Sequence, residues 1–123
     1  MKNLLALAAV SEAATGLVLL IYPPILVHLL FGAEIAGTGI FLSRIAGISL
    51  IALGVACWPR NPARGKLFGM LTYSTLAGLY LAYVGVTGVA GTLLWPAVAV
   101  HAVLSFSLLH AWRSEKAPSL GKK

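Results

Sequence analysis

Charge is what this chain has least of. Only 10% of its 123 residues are charged, where an average soluble domain carries about 25%. So few charges exclude a water-soluble enzyme or binding module. Cysteine is almost missing as well. The single Cys57 cannot form an internal disulfide, and no metal-ligand spacing surrounds it. There is no linker, no low-complexity stretch, no nucleophile motif and no glycine-rich phosphate loop. Bis-histidine haem ligation needs two histidines at one depth on facing helices. Here His101 and His110 fall on one helix at different depths, and His28 falls near the opposite surface. No cofactor, metal site or catalytic residue is therefore expected.

What the chain does have is apolar length. It is 59% hydrophobic, with a mean hydropathy of +0.93. Four spans of about 20 residues would use nearly all of it. The pattern predicts spans over about 3–22, 35–58, 67–86 and 92–112, in one integral membrane domain covering 1–123. The fold class is all-α, a polytopic membrane four-helix bundle. Pro23-Pro24 ends the first span, because proline has no N–H to extend the ladder. The apolar piece 25–31 is too short to cross and reads as an interfacial segment between helices 1 and 2. Gly32 to Glu34 form a break, and Pro59 stops the second span. Pro96 sits in the first turn of the fourth, where a missing N–H costs least. Lys2 with the following apolar run resembles a signal peptide. Glu12 interrupts that run and the hydrophobicity resumes to Tyr22, so the reading is a retained first helix.

The net charge of +6 is not a nucleic-acid footprint, because the basic residues flank the apolar segments. Lys2, Arg60, Arg64, Lys66, Arg113, Lys116, Lys122 and Lys123 all fall on one side of the predicted topology. The opposite loops carry no lysine or arginine. That bias predicts cytoplasmic termini in a bacterial inner membrane. Trp58, Trp95 and Trp112 fall near span ends, as interfacial anchors do. The bilayer is the first expected partner. A homo-oligomer and a larger membrane complex both stay open.

Small residues recur at helical spacing: Ala9, Ala13 and Gly16; Gly39, Ser43 and Gly47; Gly78 and Ala82. Such stripes let helix backbones approach in lipid. A short internal echo links Thr15-Gly16-Leu17-Val18-Leu19-Leu20 to Ala77-Gly78-Leu79-Tyr80-Leu81-Ala82.

Three ionisable residues fall near one predicted depth, about the midplane: Glu12, Arg44 and His101. Placing a charged group there costs roughly 2.5–3.5 kcal/mol on insertion scales, so each should face the protein and a partner. Opposite charge and matched depth predict a Glu12–Arg44 ion pair, with the guanidinium fork holding the carboxylate. His101 adds a group that titrates near neutral pH. Tyr73 and Tyr80, seven apart, share a face of the third span. The predicted polar or ligand-binding site is thus Glu12, Arg44, His101, Tyr73 and Tyr80. Ala97 and Ser105, four residues either side of His101, are expected to face inward with it. A divalent metal on Glu12 and His101 is opposed by the charge of Arg44.

The early intramembrane acid and the stretch Ser43-Arg44-Ile45-Ala46-Gly47 resemble the DoxX-like group of small bacterial membrane proteins. That resemblance implies four short spans and, for some members, an accessory role beside quinone-linked oxidoreductases. Ser11-Glu12-Ala13-Ala14-Thr15-Gly16 resembles the first span of the small multidrug resistance transporters. Their aromatic-glycine motif is missing from the third span here. The favoured function is a binding or accessory membrane protein, its polar midplane holding a small hydrophobic or amphipathic ligand. The alternatives are a proton-coupled small-molecule transporter and a membrane-embedded enzyme acting on a lipid-like substrate, with His101 or Glu12 as acid or base.

Overall fold

The computed structural model describes residues 2–60, 63–88 and 91–115. Parts of the expected loop at 60–66, of the turn at 88–91 and of the basic tail lie outside the described residues. Among the described residues, all regular structure is helical: α1 Lys2–Ile21, α2 Pro23–Phe31, α3 Thr38–Ala56, α4 Arg64–Val86 and α5 Leu94–Ser114. Helices α1, α3, α4 and α5 are long and apolar enough to cross a membrane. Their outward faces are apolar too. Phe106 is 76% exposed, Val86 74% and Val55 71%. That much outward hydrocarbon marks a surface made for lipid or a partner rather than for water.

The helix ends follow from local chemistry. Pro23 and Pro24 occupy the first two positions of α2, where their missing N–H groups would be unpaired anyway. The short helix therefore starts at the prolines, two residues before the predicted segment. Gly32 closes it in the left-handed conformation, φ 65°, donating its N–H to the His28 carbonyl at 2.8 Å. Gly37, φ 56°, delays α3 until Thr38, three residues after the predicted start.

The long helices form two antiparallel hairpins, α1 with α3 and α4 with α5. The first is closed by glycine. A Cβ on Gly16 would lie 2.5 Å from the Gly47 carbonyl oxygen, and one on Gly54 2.6 Å from that of Ala9. Of the two predicted stripes here, Ala9, Ala13 and Gly16 form the contact on α1. On α3 the seam runs through Gly47 to Gly54. Gly39 meets only Ile35 of its own approach segment. In the second hairpin Gly78 admits His101, whose Cβ is 3.0 Å from where a glycine-78 Cβ would stand. The two glycines of the internal echo thus sit at the crossings of their own hairpins.

The hairpins meet at two levels. At the basic end, near Lys2, Arg60, Arg64, Lys66 and Arg113, a buried apolar cluster joins them through Leu5, Ala8, Leu67, Met70, Leu104 and Leu108. Arg64 caps this end. Its guanidinium stacks 4.8 Å from the Trp112 ring and donates to the Glu115 carbonyl at 2.6 Å. At the other end α2 is the link. Gly91 N–H donates to the Leu30 carbonyl at 2.9 Å, and Leu93 N–H to the Leu29 carbonyl at 2.8 Å. These bonds use carbonyls that the last turn of a helix leaves unpaired. Gly91 is required there, because a Cβ would strike the Leu29 carbonyl.

Candidate functional site

Between the two levels the hairpins stand apart, leaving a cavity of about 660 Å³. Every described helix contributes to its wall. Leu19, Leu26, Leu30, Leu50 and Leu81 make it largely aliphatic. Pro96, in the first turn of α5, and Ala97 line it too. Its main polar groups are Glu12 on α1, Tyr73 on α4 and His101 on α5, with Ser11 and Thr15 beside Glu12 and with Ser43 and Tyr80 also on the wall. Ser11 and Thr15 bond to their own helix backbone, at 2.9 and 2.8 Å, so they add little free capacity.

Glu12 is buried, 5% exposed. The Tyr73 hydroxyl lies near its carboxyl, without a formed hydrogen bond between the two. The Tyr73 ring meets the His101 ring edge-on, 6.0 Å between centroids and 71° between planes. Tyr73 therefore neighbours both the acid and the imidazole. Among the described residues, the buried His101 Nδ1 has no hydrogen-bond partner, and neither does the buried Ser74 Oγ. A lost partner of this kind costs roughly 1–3 kcal/mol. Among the described residues, no three His, Cys, Asp or Glu side chains gather as a metal site would need.

The structure brings together four of the five residues singled out from the sequence: Glu12, Tyr73, Tyr80 and His101 all line the cavity. Tyr80 lies at the edge, 63% exposed, its ring 6.5 Å from that of Tyr83. Arg44 is not among the lining residues; it is exposed. The expected Glu12–Arg44 pair is not formed, and no cationic side chain reaches the carboxyl among the described residues. Level is one obstacle: Gly16 meets Gly47 and Gly54 meets Ala9, so this antiparallel register sets Arg44 at least seven residues, roughly 10 Å, from Glu12 along the helix axes. The helical face is the other. Ser43, Ala46 and Leu50 turn toward the cavity, and Arg44 stands about 200° round the helix from Ala46 at 100° per residue. Glu12 and Arg44 leave the α1–α3 seam on opposite flanks.

The flanks of His101 also divide. Ala97 lines the cavity as expected, but Ser105 lines a separate groove of about 400 Å³ on the far side of α4 and α5. There it accepts a hydrogen bond from Thr75 at 3.3 Å. His101 touches both spaces. Sequence reasoning missed the share of α2, whose Leu26, Val27, Leu30 and Phe31 close one end of the cavity. The signal was present in Pro23-Pro24, which starts a second helix instead of only ending the first. The chain matches no protein-family model, no curated protein and no solved structure.

Proposed function

We propose that this protein is a membrane-embedded binding protein that holds a small amphipathic molecule in the cavity between its hairpins. In this reading α1, α3, α4 and α5 cross a bacterial inner membrane with both termini cytoplasmic, as the one-sided basic residues support. A role as accessory subunit, which the DoxX-like resemblance implies, is compatible with it. The observation that carries the proposal is the cavity itself. Its volume of about 660 Å³ falls within the roughly 300–1,000 Å³ usual for small-molecule sites. Its aliphatic wall with one gathered polar cluster is the composition such sites have. The apolar body of a ligand would lie along Leu26, Leu30 and Leu50. Its hydroxyl or carbonyl would meet Glu12 and Tyr73.

A matched pair of probes tests this. 4-Octylphenol and octylbenzene differ only by a hydroxyl group. For the protein in lipid nanodiscs, 4-octylphenol is expected to raise the unfolding temperature and octylbenzene to leave it nearly unchanged. The variants Glu12→Gln and Tyr73→Phe should each weaken 4-octylphenol binding roughly tenfold, the worth of one hydrogen bond to a charged or polar partner. Equal effects from the two probes would reduce the cavity to a trough filled by lipid tails.

A second reading, a proton-coupled transporter, gains from one observation. Glu12 faces the cavity with no cation beside it, so its carboxylate is not committed to an ion pair. Proteoliposomes separate the two readings. A binding protein retains the probe without net uptake under an imposed pH gradient, whereas a transporter accumulates it and Glu12→Gln abolishes the accumulation.

A further inference from the structure

A third space lies at the basic end, on the α1–α3 hairpin and away from the inner cavity. It is a groove of about 420 Å³. Its floor is apolar and shallow-sided. Gly54 brings α3 against the Ala9 carbonyl of α1, and Ala13 packs beside them. Val10 and Val55, 52% and 71% exposed, form the two walls. Its mouth is aromatic and cationic, made by Trp58, Arg60 and Lys66.

The mouth is a built feature. The Lys66 ammonium donates to the Trp58 carbonyl at 2.9 Å and to the Arg60 carbonyl at 3.1 Å. These bonds fold the chain after α3 back onto the first turn of α4 and set both cations on one rim. Carbonyls orient the ammonium without neutralising it, and one of its three N–H groups is left over. Among the described residues, no carboxylate lines the groove. Glu12 is in the inner cavity, Glu34 is exposed between α2 and α3, and Glu115 lies at the end of α5, where its backbone receives Arg64. The rim is therefore doubly positive and uncompensated, at the level where Trp58 marks the end of a span.

The geometry points to a bound anionic phospholipid: its phosphate sits against Arg60 and Lys66, and one acyl chain lies along Val10, Ala13 and Gly54. The inference rests on the membrane placement and not on what fills the inner cavity. Charge selects the headgroup class, since a zwitterionic lipid brings its own cation to the rim. The apolar floor, running from the rim toward the middle of the helices, selects an amphiphile over a free anion. Basic pockets between helices on the cytoplasmic side hold anionic headgroups by the same chemistry.

Trp58 reports on the site directly. In the full chain carrying Trp95→Phe and Trp112→Phe, it is the remaining tryptophan. The protein is reconstituted in phosphatidylcholine vesicles containing bromine-labelled phosphatidylglycerol or bromine-labelled phosphatidylcholine at equal bromine content. Trp58 fluorescence should be quenched more strongly by the anionic lipid. Arg60→Gln, which leaves the Lys66 bonds to backbone in place, should lower that preference roughly fivefold, the effect of one cation near an anionic surface. Val10→Phe, which fills the groove without touching charge, should lower quenching by the anionic lipid. Equal quenching by the two lipids overturns the proposal, as does a preference that Arg60→Gln leaves intact. Loss of the preference on adding inorganic phosphate alone would make this a free-anion site and overturn the assignment to lipid. Loss of 4-octylphenol binding with the lipid preference preserved would count against the inner cavity alone.

Discussion

Along α1 and α3 the backbones touch. A Cβ on Gly47 would stand 2.5 Å from the Gly16 carbonyl oxygen and 2.9 Å from the Leu20 nitrogen, groups that cannot turn aside. Along α4 and α5 the glycines meet side chains, Gly85 the Trp95 ring and Gly78 the His101 Cβ, and a hydroxyl pair, Thr75 and Ser105, bonds across the seam. One hairpin is held by shape, the other partly by polar groups. In lipid neither gains a hydrophobic driving force between helices, so packing and hydrogen bonds must hold both. The difference teaches where the molecule can carry chemistry. The glycine seam leaves no room for it. The looser seam presents Tyr73 and His101 on one side and leaves the Ser74 hydroxyl buried without a partner.

Substitutions to alanine break the comparison most sharply where the neighbour is backbone. Gly47→Ala should destabilise the protein by about 2–3 kcal/mol, at the upper end of overpacking costs, because the Gly16 carbonyl cannot yield. Gly78→Ala should cost less, about 1 kcal/mol, since the His101 Cβ stands 3.0 Å away and α5 need give only a few tenths of an ångström. Gly69→Ala, with nothing within 4 Å of the new methyl, is the control and should cost nothing. Denaturant titration followed by circular dichroism in detergent measures all three. If Gly78→Ala proves the most damaging, the ranking of the seams is reversed.

The smallest expected effect sharpens the comparison from the polar side. A double-mutant cycle with Glu12→Gln and Arg44→Gln should be additive within about 0.5 kcal/mol, as for residues without shared partners. The cycle of Glu12→Gln with Tyr73→Phe should show coupling of about 0.5 kcal/mol or more. Coupling at Arg44 instead would return the carboxylate to the α1–α3 seam.

The sequence carried the four long helices because hydrophobic length and proline punctuation are local signals. Glu12 and His101, grouped by counting residues, do line one cavity. The count did not carry the level or the face of Arg44. It set Arg44 level with Glu12, whereas the seam register parts them along the axis, and which flank of a helix a residue takes depends on how the helix is rolled against its neighbour. That roll is set by Gly16, Gly47 and Gly54 meeting the opposite backbone. Small-residue spacing showed that a contact would exist, and left open that it would run from Gly47 to Gly54 and not from Gly39. The cavity was the least legible feature. It is a space between hairpins and requires α2 to dock on the segment before α5; Pro23-Pro24 signals a second helix, but not where that helix docks.

That docking bears on the order of assembly. Each seam is made within its own hairpin, so either can form before the other. The two bonds from Gly91 and Leu93 to Leu30 and Leu29, like the cluster of Leu5 with Leu108 at the other end, join segments far apart in the chain, and such contacts carry more loop-closure entropy than those within a hairpin. Joining the hairpins is the natural last step. Until the α2 bonds close, one end of the cavity has no wall. The pocket is thus not carved into either half of the protein but comes into being when two finished halves are latched together.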